Sequence, residues 1–155
     1  MKTNSSIAVI ALILLGLTAG CDSGPKSGRG FKFPEGDIGR GQAAFVRLNC
    51  YTCHQVDGVT GLPAPSVAPE RVITLGGEVM RLKSYGDLVT AVIHPSVAIS
   101  EKLTGEARKE ATDAGRSPMP NLNQYMTVTE MLDLVTFLQP RYRHLEPLVT
   151  GPYWP

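Results

Sequence analysis

The sequence predicts an all-α domain of three to five helices, and three observations carry that prediction. Apolar residues recur at helical spacing in three stretches, near residues 37–48, 84–94 and 127–139, each opened by a residue able to cap a helix. The run Cys50, Tyr51, Thr52, Cys53, His54 follows directly on the first stretch. Between Asp37 and Gln139 lie roughly 100 residues, enough for one domain and not two, with few aromatic side chains to fill a core.

Two segments precede that domain. Residues 1–20 read as an export signal: Lys2 gives a positive start, Ile7 to Leu17 is an apolar run of eleven, and Thr18, Ala19 and Gly20 form a small-residue processing site. Even extended through Gly20 the run falls short of the ~20 residues a membrane-spanning helix needs. Residues 21–36 follow as Cys21 and a tether rich in Gly, Pro and Ser, whose ends would lie roughly 20 Å apart as a flexible chain.

The first helix of the domain starts at Asp37, an N-cap residue, and places Gly41, Phe45 and Leu48 on one stripe. Gly41 lets another helix approach closely, and Phe45 fills the contact.

CxxCH comes next. On one helical turn Cys50 and Cys53 share a face, so two thiols can add to the two vinyl edges of one porphyrin while His54 turns its imidazole to the iron. A thioredoxin-like CxxC would follow a buried strand, whereas the residues before Cys50 are helical in pattern. A zinc site needs about four ligands, and no second CxxC or HxxxH exists. Of three cysteines, two belong to this motif, so a disulfide framework is not expected.

Residues 55–83 carry Gly61, Pro63, Pro65, Pro69, Gly76 and Gly77, which break any periodicity. A ligating histidine usually donates its second ring nitrogen to a fixed acceptor, and a carbonyl near Pro63 or Pro65 is expected for His54. Arg71, Arg81 and Lys83 read as surface charges, with haem propionates as an alternative role.

The second helix opens on a capping box, Ser84 with Asp87, shows Leu88, Val89, Val92 and Ile93 on its apolar face, and stops before Pro95. His94 at its end reads as a solvent-facing imidazole rather than as a ligand. Residues 100–118 are polar, with room for a short surface helix. Met119, between Pro118 and Pro120, is the expected second axial ligand, since two prolines stiffen the backbone and a thioether beside histidine raises the potential of a haem.

The last helix is capped by Thr127 and Glu130 and carries Val128, Met131, Leu132, Val135 and Leu138 as its stripe, with Phe137 available to Gly41 and Phe45. Pro140 ends it. Residues 140–155 form a C-terminal extension with Tyr142, Tyr153 and Trp154, expected to fold back on the domain.

Residues 37–139 together resemble a class I cytochrome c: a glycine and aromatic helix, CxxCH, a proline-bearing loop, a middle helix, Met119–Pro120 and a final helix. The resemblance implies a cytochrome c-like bundle around one covalently bound haem c, with first and last helices crossing beside it and one haem edge open to partners. The stretch Gly76 to Val79 and the extension after Pro140 depart from the pattern. Separately, Leu17 to Cys21 resembles a bacterial lipobox, with Thr18 where leucine is usual. That likeness implies cleavage before Cys21 and lipid chains on it, enough for stable anchoring at about 0.8 kcal/mol per buried methylene. Covalent haem attachment in this family takes place outside the cytoplasmic membrane, which agrees with export.

Without Lys2 the chain has 15 − 1 = 14 basic and 14 acidic residues, so strong electrostatic steering and nucleic-acid binding are not expected. The expected function is that of a lipid-anchored monohaem electron carrier, not an enzyme, on the periplasmic side of a bacterial membrane, either inner or outer. Its partners would be a redox protein donor and acceptor. A dedicated cytochrome subunit of a multisubunit oxidoreductase, for example one oxidising sulfur compounds, is the alternative. A haem sensor or peroxidase would require Met119 not to bind.

Overall fold

The computed structural model describes residues 32–97 and 99–145. Its elements are helix α1 (Ile38–Arg47), a 3-10 turn at Cys50–Thr52, strand β1 (His54–Val56), a 3-10 turn at Pro69–Arg71, strands β2 (Ile73–Leu75) and β3 (Gly77–Val79), helices α2 (Tyr85–Ile93), α3 (Gly105–Asp113) and α4 (Val128–Leu138), a 3-10 turn at Gln139–Arg141, and strand β4 (Tyr142–His144).

The helix starts follow local chemistry. Asp37 accepts the Arg40 amide at 2.7 Å, satisfying an N–H that the first turn of α1 leaves unpaired. Ser84 with Asp87 and Thr127 with Glu130 form complete capping boxes at α2 and α4.

Helices α1 and α4 cross with almost no space between their backbones. A Cβ on Gly41 would stand 2.6 Å from Phe137 Cβ, and against the Asp133 carbonyl it would be closer still. The crossing brings Phe45 edge-on to Phe137, with ring centroids 6.0 Å apart and planes at 64°. Phe45, Val135 and Phe137 are fully buried there. Arg40 reaches across from α1 to Asp133, which also accepts the Asp37 amide at 2.7 Å; its Nε and Nη2 donate at 2.8 and 3.1 Å. With only 3% of Asp133 exposed, these three donors replace the water it loses.

The buried face of α4 is wider than its expected stripe. Leu134 and Phe137 are buried with Leu132, Val135 and Leu138, while Val128 is 70% exposed, because α4 is covered by α1 on one flank and α2 on another. On α2, Leu88, Val89 and Val92 are buried and Ile93 is exposed. Leu103, ahead of α3, packs with Ala107 and Ala111 of that helix against Ile73 and Ile99 as a separate cluster.

The all-α expectation is corrected in one respect: among the described residues, four helices are accompanied by two parallel strand pairs. Strand β1 pairs with β2 and β3 with β4, registering His54 with Ile73 and Gly77 with Tyr142. Strands of three residues are too short to show a period, and their partners lie far along the chain, so periodicity does not announce them. Gly76 and Gly77 have φ of 86° and 81°, a region costly for other residues, and a Cβ on Gly76 would stand 2.7 Å from Arg141 Cβ. The β3–β4 pair thus brings Tyr142–His144, from beyond Pro140, back against the domain. Cys21, residues 1–20 and Tyr153 and Trp154 lie outside the described residues.

Candidate functional site

Helix α1 ends at Arg47, and Asn49 takes the left-handed conformation with φ 56°, which asparagine tolerates better than most residues. The chain then winds into a 3-10 turn in which the Cys53 amide donates to the Cys50 carbonyl at 3.3 Å. Residues i and i+3 eclipse in such a turn, so Cys50 and Cys53 are presented to one side. The motif therefore sits on a 3-10 turn rather than on a continuation of α1. Both cysteines are free thiols, partly buried. Burial pushes the Cys50 thiol up to about 11, so it stays protonated at neutral pH.

Ile73 brackets the next residues. Its amide donates to the Cys53 carbonyl at 2.9 Å, and its carbonyl lies 3.2 Å from His54 Nδ1. A carbonyl can only accept, so Nδ1 carries the proton and Nε2 is left with its lone pair. Burial lowers the pKa of His54, and the Ile73 carbonyl works the other way without cancelling it, so the ring is neutral at neutral pH. The acceptor is thus Ile73, not a carbonyl near Pro63 or Pro65. The available signal was the short β-prone run Ile73–Thr74–Leu75 before Gly76, which marks a strand able to pair with His54. Amides of Ser66 and Val67 close the intervening loop onto the Thr52 carbonyl at 3.0 and 3.3 Å.

Met119 lies on the wall of a cavity of about 610 Å³, a size suited to a cofactor. Arg71, His94, Ala107, Ala111 and Arg116 share that wall, while Cys50, Cys53 and His54 do not. The connection runs through Ile73, whose side chain packs on the cluster of Leu103, Ala107 and Ala111 and whose carbonyl holds His54. Arg71 also pairs with Glu110 at 3.0 Å, and Arg81 with Asp87 at 3.4 Å. Of the other methionines, Met80 is 78% exposed.

Residues 50–54 fit a covalently held haem: two thiols aligned on one turn and a neutral imidazole with one nitrogen free. Two thiols and an imidazole in that spacing belong to the class of c-type haem proteins. A family model for cytochrome c matches residues 38–140, and the chain belongs to the cytochrome c family. No curated protein and no solved structure matches it. Membership makes the chain an electron carrier that binds covalently attached haem c, and a domain of this size suits a single haem.

Proposed function

We propose that the chain is a class I, monohaem electron carrier in which Cys50 and Cys53 hold the haem and His54 and Met119 bind its iron. Each thiol adds its S–H across one porphyrin vinyl group to form a thioether. His54 offers Nε2, and Met119 offers its sulfur from the cavity wall. The bound haem supplies a one-electron iron couple. The observation that carries the reading is the hold on His54: its Nδ1 proton is committed to Ile73, one residue beyond the paired thiols.

Two measurements test it. Peptide mass spectrometry should find haem on the 50–54 segment of the wild-type protein and none on that segment in the C50A/C53A variant. The ferric spectrum should show a thioether-to-iron charge-transfer band that Met119→Ala abolishes, with a fall in reduction potential. An unchanged spectrum and potential in M119A would exclude Met119 as ligand.

Cleavage before Cys21, lipidation there and anchoring on the periplasmic side of a bacterial membrane complete the proposal. The lipobox-like run Leu17 to Cys21 supports it. Cys21→Ser should release the protein from the membrane fraction; retention would count against the anchor. The redox donor and acceptor would then be other proteins at that membrane face.

A further inference from the structure

The loop that carries Met119 is tied to the end of α2 at two points, one on each side of the methionine. Before it, the Ser117 amide donates to Ser96 Oγ at 3.1 Å, and the Met119 amide donates to Ser117 Oγ at 3.2 Å. After it, Asn123 Nδ2 donates to the Ile93 carbonyl at 3.0 Å, one of the carbonyls that a helix end leaves without an internal partner. The Asn123 amide is itself held by Asn121 Oδ1 at 2.9 Å.

Pro118 and Pro120 contribute no amide donors, so Met119 has the one N–H of that triplet, and Ser117 takes it. The residues receiving the strap, Ile93 and Ser96, flank His94, which shares the cavity wall with Met119. Helix α2 is anchored in turn by packing on α4.

We propose that Ser96 and Asn123 are positioning residues for Met119, strapping its loop to α2 so that the thioether holds its place against competing donors. The inference rests on the reading of Met119 as an iron ligand. Each strap is a hydrogen bond between neutral groups, worth on the order of a fivefold shift in the equilibrium between held and released loop. The two straps join different residue pairs on opposite sides of Met119, so their effects should multiply.

The test is a spectrophotometric titration of the ferric holoprotein with imidazole, which binds iron only where it displaces the native donor. Ser96→Ala and Asn123→Ala should each bind imidazole about fivefold more tightly than wild type, and the double variant roughly 25-fold. Ser96→Thr, which keeps the hydroxyl, should restore the wild-type affinity. Arg40→Gln, which breaks the distant Arg40–Asp133 pair, serves as a control that weakens the fold elsewhere and should leave imidazole affinity unchanged. The strap is refuted if S96A and N123A bind imidazole no more tightly than wild type, or if R40Q raises the affinity as much as they do. M119A separates the two levels of the argument: if it binds imidazole no more tightly than wild type, the ligand reading fails and the strap with it. If M119A binds far more tightly while S96A and N123A do not, only the strap fails.

Discussion

Gly41→Ala asks the α1–α4 crossing for space it does not have. The added methyl would lie 2.6 Å from Phe137 Cβ and 2.6 Å from the Asp133 carbonyl carbon, and ordinary contact begins at 3.4 Å, so the helices must part by at least 3.4 − 2.6 = 0.8 Å. Neither neighbour is the free end of a flexible side chain. Overpacking of this kind costs about 1–3 kcal/mol. Parting the helices also loosens the Phe45–Phe137 edge contact, a geometry worth about 0.5–1.5 kcal/mol beyond area burial. Against these, alanine in a helix interior is better than glycine by about 1 kcal/mol. The balance is a loss of about 2 kcal/mol, which for a domain of this size lowers Tm by roughly 8–16 °C. Thermal and denaturant unfolding of the holoprotein, followed by far-UV circular dichroism, measures it. A G41A protein as stable as wild type or more stable would show that helix propensity outweighs the contact, and would refute the reasoning.

Three further outcomes follow from particular contacts. Asp133 has its pKa lowered from 3.8, first by the Arg40 hydrogen bond and then by the Asp37 amide, so its contribution is complete above that value and is lost as pH falls through the lower, folded value. Asp133→Asn should therefore lower Tm at pH 7, with the gap from wild type closing as pH falls below 3.8 and through the lower, folded value; a gap independent of pH would contradict the assignment. Gly76→Ala forces a left-handed conformation worth about 1–2 kcal/mol of strain and crowds Arg141, so amide exchange at Tyr142–His144 should accelerate along with a lower denaturation midpoint. Thr127→Ala removes the α4 capping box and should cost about 1 kcal/mol, with Thr127→Ser close to wild type; equal losses in both would mean the hydroxyl is not the cause.

Legibility in the sequence tracked the range of the interaction. Asp37, Ser84 with Asp87, and Thr127 with Glu130 act within three residues of themselves, and each caps the helix it was expected to cap. Gly41 and Phe45 were readable because a glycine on an apolar helical stripe implies a close neighbour, and Phe137 is that neighbour. Asp133 was not readable. A carboxylate on a helix reads as surface, and only Arg40 and the Asp37 amide, more than ninety residues away, make its burial tolerable. Val128 failed in the opposite sense: it fits the stripe, but at the first turn of α4 nothing covers it. Likewise Ile73 lies in a stretch without periodicity, and its role comes from pairing with His54 rather than from its own neighbours.

By itself the sequence determined the chemistry. Two thiols and an imidazole in five residues can be arranged in few useful ways, and local hydrogen bonding decides where helices begin, so both are written in adjacent residues. Tertiary structure alone decided how that chemistry is held. Burial and a carbonyl nineteen residues away set the proton of His54, the β1–β2 pair closes the proline-rich loop, and the turn after α2 meets the loop of Met119. Hydrogen-bond acceptors on the backbone are the same for every residue type, so which carbonyl serves is settled by the fold.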